Sequence, residues 1–253
     1  MHDVSRPPRA ADSPGRDTLR FFVLGATGRT GSLFVSQCLA HGHAVTAFVR
    51  GPGRLPANIR SHRALRIDCG ELSDVGAVAN SLRSARHDVL VCMLASEKPP
   101  FTAVSTGTHS LLRALEALGE ARKVPFFSIA SWGMGPSRAH IAGLLLRTVV
   151  SIAKSTFWSK PYADFERQFA DIELAEQKAL IRPTILIPPV LTRGPKTDTY
   201  VWGEPEAIKH RMGLTGSVSR ASLADLCVCL AERAAAEPVP RWIAIVEASR
   251  DRK

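Results

Sequence analysis

The segment FFVLGATGRTGSLF, Phe21 to Phe34, constrains this chain more than any other. Four apolar residues run into glycines at positions 25, 28 and 31, and an apolar segment follows at once. In that segment Phe34 and Cys38, and Val35 and Leu39, stand four residues apart, the spacing of one helix face. A strand turning directly into a helix around spaced glycines is the first crossover of a parallel sheet with an anion site built into it. Gly25 permits the tight turn, Gly28 leaves room for a pyrophosphate to approach the backbone, and Gly31 lets the helix pack against the strand. The N–H groups and the positive end of the helix dipole face the phosphates. Thr27 and Thr30 add hydroxyl donors, and Arg29 belongs to the same candidate set. The alternative is a glycine turn that holds no ligand.

Strand-like and helix-like segments alternate from residue 20 onward. Strands are expected at Phe21–Leu24, Ala44–Val49, Leu65–Ile67, Val89–Leu94, Val124–Ala130, Thr184–Ile187 and Trp242–Val246. Helices are expected at Ser32–His41, around Val75, Val78 and Leu82, around Leu111 to Leu118, and over Ala163–Leu180 and Ser222–Ala236. This alternation predicts an α/β fold: a doubly wound, mostly parallel sheet of the Rossmann kind with helices on both faces. Residues 1–18, rich in Pro, Arg and Asp, read as a disordered arm, and residues 19–253 as one dinucleotide-binding domain. Ile141–Ala153 reads as an apolar helix; a membrane-surface helix is the weaker reading of that stretch.

A chain of 253 residues with 45% apolar and 22% charged residues has the composition of a soluble globular protein. The net charge of +10 serves solubility, or fits a polyanionic ligand such as a dinucleotide phosphate, or gives weak nonspecific nucleic-acid affinity. No specific nucleic-acid partner and no membrane span are expected, because no apolar run is long enough to cross a bilayer. The N-terminus lacks the apolar core of a secretory signal, and its acidic residues speak against a transit peptide. The cysteines at 38, 69, 92, 227 and 229 form no C-x-x-C pair and no nearby His completes a zinc set, so no metal is expected. Thiols buried in apolar segments fit a reducing, cytoplasmic setting.

The second strand reports on the nucleotide. An NAD site places Asp or Glu at the end of that strand, on the ribose 2′-hydroxyl. Here AVTAFVRGPGRLP ends it with Arg50, with Arg54 following, and no carboxylate lies between Val45 and Asn58. A guanidinium clamps a 2′-phosphate that a carboxylate would repel, which favours NADP(H). The alternative is two solvated surface arginines.

Taken together, GATGRTG, VTAFVR…RLP, RIDCGELSD, DVLVCMLAS, SIASWGMGPS, YADFERQ, PTILIPPVLTRGP and VSRASLADL resemble the atypical short-chain dehydrogenase/reductase (SDR) family. That NAD(P)H-binding family includes biliverdin-IXβ reductase (flavin reductase), with NmrA-type proteins as more distant relatives. The resemblance runs from about Leu19 to Ala236. It implies that Asp68 and Cys69 lie near the adenine and that Leu94, Ala95 and Ser96 line the cofactor beside the fourth strand. It also implies that Pro188, Pro189 and Val190 border the nicotinamide, that Ser131 sits where SDR proteins place an active-site Ser or Thr, and that the apolar helix over Ile141–Ala153 is a small substrate cover of the NAD(P)-binding domain. Biliverdin-IXβ reductase has His after its Pro-Pro pair where this chain has Val190, which implies a different substrate.

The Tyr-x-x-x-Lys pair of most SDR enzymes is absent: Tyr162 is followed four residues on by Glu166, and Tyr200 by Glu204. Ser131 is then the candidate hydrogen-bond donor to substrate, or an ordinary turn serine. Tyr162 is the candidate proton donor, paired along a helix face with Glu166, or part of a solvated helix start. Trp132, Phe157 and Trp158 shape an apolar pocket or pack the core. The leading reading is an NADPH-dependent reductase of a small conjugated or carbonyl substrate. A non-catalytic NADP(H)-sensing regulator and a non-redox isomerase or cyclase are the alternatives.

Overall fold

The computed structural model describes residues 18–96, 98–119, 123–140, 159–212 and 216–247. The expected arm, except Thr18, and the apolar stretch Ile141–Ala153 with Phe157 and Trp158 lie outside the described residues. The chain runs β1 (Arg20–Leu24), α1 (Gly31–Ala40), β2 (Ala44–Val49), a short α2 (Ala57–Arg60), β3 (Leu65–Cys69), α3 (Val75–Arg83), β4 (Val89–Cys92), α4 (Ala103–Ala117) and β5 (Val124–Ile129). It continues through α5 (Ser159–Gln177), β6 (Ile181–Ile187), β7 (Val190–Thr192), β8 (Tyr200–Gly203), α6 (Pro205–Ile208), β9 (Ser217–Ser219), α7 (Arg220–Ala236) and β10 (Trp242–Glu247).

The main sheet has the order β3-β2-β1-β4-β5-β6-β10-β8. All neighbours pair in parallel except β10 and β8, where Ala244 faces Gly203 in antiparallel register. The chain winds outward from β1 to β3, returns to the middle, and winds the other way from β4, so the switch point falls between β1 and β4. This is the expected doubly wound fold. The short β7 and β9 form a separate two-stranded ladder, in which Val190 faces Ser217. The sequence reading missed β7, β8 and β9, each too short for its apolar pattern to stand out from a loop.

β1 explains the layering. Phe21 and Val23 face one side of the sheet and Phe22 and Leu24 the other, and all four are fully buried. The first side is covered by α1 and α7 through Phe34, Val35, Cys38, Leu223, Cys227 and Leu230. The second is covered by α3, α4 and α5 through Val78, Leu82, Leu111, Leu115 and Ile172. A strand buried on both faces needs a continuous apolar run, which FFVL supplies. α5 is the exception among the helices. Its inward face carries Asp164 and Gln168 ahead of Ile172 and Ala175, so its sequence reads as polar although that face is buried. Cys38, Cys92 and Cys227 are buried as small core residues, whereas Cys69 is exposed. Among the described residues no helix is long and apolar enough to cross a membrane.

Candidate cofactor and substrate site

Parallel pairing puts the carboxyl ends of β1 to β6 on one edge of the sheet, and the candidate residues sit along that edge. Neighbouring strands lie ~4.8 Å apart, so the row from β3 to β6 spans roughly 24 Å. At its middle, Gly25 has φ +83°, a conformation closed to residues with a side chain at little cost. A Cβ on Gly31 would lie 2.1 Å from the Gly25 carbonyl oxygen, so α1 packs on the turn only because residue 31 has none. A Cβ on Gly28 would lie 3.1 Å from the same oxygen, and the Gly28 N–H donates to it at 2.9 Å. Thr30, at the N-cap of α1, makes no side-chain cap hydrogen bond, and the first turn holds no acidic residue. By contrast α3 is capped by Asp74 and α7 by Ser219. The start of α1 therefore carries the positive end of its dipole without a carboxylate of its own.

Arg50 follows β2 directly and Arg54 lies in the 3₁₀ turn Pro52–Arg54; both are exposed. One strand further out, Asp68 and Cys69 end β3. The Asp68 carboxylate accepts from Ser81 Oγ and from Arg66 Nε at 2.9 Å, so its charge is held within the protein. The basic end of the row thus remains basic.

On the other side of the switch point, Leu94, Ala95 and Ser96 follow β4. Ser96 is buried and its hydroxyl donates to Asp164 on α5. Asp164, fully buried, also accepts the backbone N–H of Val104 at 3.0 Å and of Ser105 at 3.1 Å, and the Ser105 hydroxyl. A side chain from α5 therefore caps α4 and holds the Ser96 end of the β4–α4 loop at the same time. One turn on, Gln168 donates to Thr108 and Ser128, each at 2.9 Å. The sequence reading gave Asp164 no role. Its signal was the i, i+4, i+8 row Asp164, Gln168, Ile172, a buried face whose first two members are polar.

Ser131 is exposed just beyond β5. Its loop is tied to the end of β6, where Trp132 N–H donates to the Pro188 carbonyl at 2.8 Å. Ser131 and the Pro188–Pro189–Val190 turn are thereby brought together, and Val190 is 65% exposed at that point. Tyr162, in the first turn of α5, does not stand in a bare pair with Glu166. Arg138 donates to the Tyr162 oxygen and to Glu166 at 2.8 Å, with its guanidinium 5.4 Å from the Tyr162 ring centre. Burial pushes the phenol above its ordinary pKa, against the pull of the Arg138 hydrogen bond. Trp132 stacks on His140 at 6.2 Å. The sequence reading missed Arg138, which reaches Tyr162 on α5 from the 3₁₀ turn Gly135–His140, 24 residues earlier.

The two C-terminal motifs join physically. Arg220 of VSRASLADL donates to the carbonyls of Leu191 at 3.1 Å and Thr192 at 2.9 Å, in PTILIPPVLTRGP. Asp225 accepts from Lys196 and Tyr200, each at 3.0 Å. These contacts brace the segment that follows Val190. At the opposite edge of the sheet, a cavity of about 220 Å³ lies against Pro125, Ile181, Arg182 and Arg241 and contains none of the candidate residues.

Comparison with known proteins gives this arrangement its setting. The NAD(P)H-binding family matches residues 25–234. Oxidoreductase aflX of Aspergillus parasiticus is 28% identical over 103 residues, 39% of this chain and 39% of that protein. A short-chain dehydrogenase/reductase of Veillonella parvula, solved in complex with NADP, superposes with a TM-score of 0.68 at 15% identity, covering 92% of this chain and 96% of that one. ChuY, an anaerobilin reductase of Escherichia coli O157:H7, superposes with a TM-score of 0.63 at 18% identity, covering 91% and 98%. The two solved structures share the Rossmann fold found here, and the family match spans most of the chain, from Gly25 into α7: the protein belongs to the NAD(P)H-binding family, with an oxidoreductase-type fold.

Proposed function

We propose that this protein is an NADPH-dependent reductase that passes a hydride to a small conjugated or carbonyl substrate. The observation that carries the reading is the order of groups along the carboxyl edge. Exposed Arg50 and Arg54 stand at one end, the turn at Gly25 and the acid-free start of α1 in the middle, and Ser131 with Val190 at the other. That order fits a dinucleotide phosphate laid across the switch point. Gly25 to Gly31, with Thr27, Arg29 and Thr30, would hold the pyrophosphate. Arg50 and Arg54 would hold the 2′-phosphate, with Asp68 and Cys69 beside the adenine. Leu94, Ala95, Ser96, Pro188, Pro189 and Val190 would form the wall at the nicotinamide. The cofactor, when bound, supplies the hydride.

The chain's own part is orientation and exclusion of water. Ser131 is exposed beside the Val190 turn, where its hydroxyl can donate to an acceptor oxygen and steady charge developing there. The Tyr162 hydroxyl is tied to Arg138, so Tyr162 is the poorer proton donor. NmrA-like sensing without turnover is the second reading, favoured by the lack of a Tyr-x-x-x-Lys pair. Oxidation of NADPH against a panel of flavins, quinones and conjugated carbonyls separates the two. Turnover with one of them establishes the reductase, and tight NADPH binding with no turnover across the panel favours the sensor.

A further inference from the structure

His41 closes α1, His43 begins the approach to β2 one residue beyond Gly42, and Glu232 lies on α7, the helix packed beside α1. Glu232 Oε1 stands 2.9 Å from His41 Nδ1 and 2.9 Å from His43 Nε2. The three donor atoms lie within 4.8 Å of one another. The side chains are 18% exposed for His41, 1% for His43 and 9% for Glu232, so the group is enclosed yet open on the His41 side. The two rings are tilted by 52° to one another and both reach the same carboxylate oxygen. Burial pushes the Glu232 carboxyl up, but hydrogen bonds from both histidines outweigh it and bring the pKa down to about 2, which keeps the oxygen anionic.

We propose that His41, His43 and Glu232 form a binding site for a divalent cation of the zinc class, with solvent supplying the fourth ligand. Two imidazoles and a carboxylate are a donor set such ions accept. Arms of ~2.0–2.1 Å in a tetrahedron put donor atoms ~3.3 Å apart. The two 2.9 Å separations open by a few tenths of an ångström to reach that, and the two imidazole nitrogens, within 4.8 Å of each other, draw together to it. The ion takes the place of the two imidazole protons that face Glu232, and each neutral ring carries its proton on its other nitrogen instead, Nε2 on His41. His43 must carry its proton on Nδ1, which now accepts from Leu19 N–H at 3.3 Å, a long contact that the ion's binding gives up. The site lies at the C-terminal end of α1, about 15 Å along that ten-residue helix from the glycine turn. Its role is to tie α1 to α7, apart from the chemistry of the carboxyl edge.

Calorimetric titration of the full chain with zinc chloride, after removal of adventitious metal with chelator, tests the proposal. One equivalent should bind with a rise in melting temperature. His41→Ala and Glu232→Gln should each weaken binding at least tenfold while NADPH affinity, measured alongside, reports that the variants are folded. Cys69→Ser, which removes the exposed thiol, should leave zinc binding unchanged. If either variant fails to fold, cobalt(II) bound to the unaltered chain decides, through four-coordinate visible bands without thiolate charge transfer. No saturable binding, binding that survives His41→Ala, binding lost in Cys69→Ser, or a thiolate band on cobalt would each overturn the assignment.

Discussion

The Asp164 carboxylate accepts the backbone N–H of Val104 at 3.0 Å and so caps a helix it does not belong to. The same carboxylate holds Ser96 and Ser105. Asp164→Ala leaves two N–H groups and two hydroxyls facing an apolar gap. The expected cost is about 3 kcal/mol, a lowering of the melting point by roughly 6–12 °C for a chain of this size. Scanning calorimetry measures it. A change under one degree would mean that water replaces the carboxylate without cost.

Arg50 stands at the end of β2 with no acidic residue beside it in sequence as far as Asn58. Arg50→Glu should weaken NADPH by ~2–4 kcal/mol, roughly 30- to 900-fold, and leave NADH little changed. Calorimetric titration of both nucleotides checks it. Equal affinities of the unaltered protein for the two would remove the basis for NADPH preference.

The glycines at 28 and 31 should fail differently. Gly31→Ala drives a Cβ to 2.1 Å from the Gly25 carbonyl and should unfold or strongly destabilise the chain. Gly28→Val meets only a 3.1 Å contact within the protein and should keep its circular dichroism while losing NADPH. Retained affinity in Gly28→Val contradicts the cradle.

Tyr162→Phe should lower kcat by less than ~10-fold, short of the 10²–10⁴ that follows loss of a general acid. Ser131→Ala should cost more. Single-turnover hydride transfer ranks the two, and a thousandfold loss confined to Tyr162→Phe would reverse the assignment.

The pH profile of turnover should agree. Burial, the largest influence on Tyr162, raises its pKa, so the folded protein keeps the phenol protonated as pH rises. No alkaline limb below about pH 10 should trace to this residue. A limb near neutrality that disappears in Tyr162→Phe would show the opposite shift.

The fold was legible because β1, β2 and β4 are apolar runs bounded by turn residues, and because α1 and α3 carry their apolar residues at helical spacing. The row of candidate residues along the carboxyl edge was legible for the same reason, since they follow strand ends directly. What escaped were contacts between distant segments: Arg138 with Tyr162, Arg220 with the Leu191 and Thr192 carbonyls, and His41 and His43 with Glu232. His41 and His43 flank a helix stop and look like solvated polar residues until α7, 189 positions later for His43, brings its carboxylate. No local pattern encodes a partner at that distance. The α5 boundary also erred: the helix was expected over Ala163–Leu180 and runs over Ser159–Gln177, so Tyr162 stands inside its first turn.

A helix that buries only methyl and methylene groups can slide along its neighbour at small loss, one turn at a time. α5 cannot. A shift of ~5.4 Å would set Ile172 against Thr108 and Ser128 and carry Asp164 away from the start of α4. Each buried polar group would lose its match together, so the two helices have one depth of engagement. Tyr162 and Glu166 at the head of α5 are therefore fixed in height above the sheet. Anything that meets α5 at that end would meet side chains of set position, because the post that presents them does not travel.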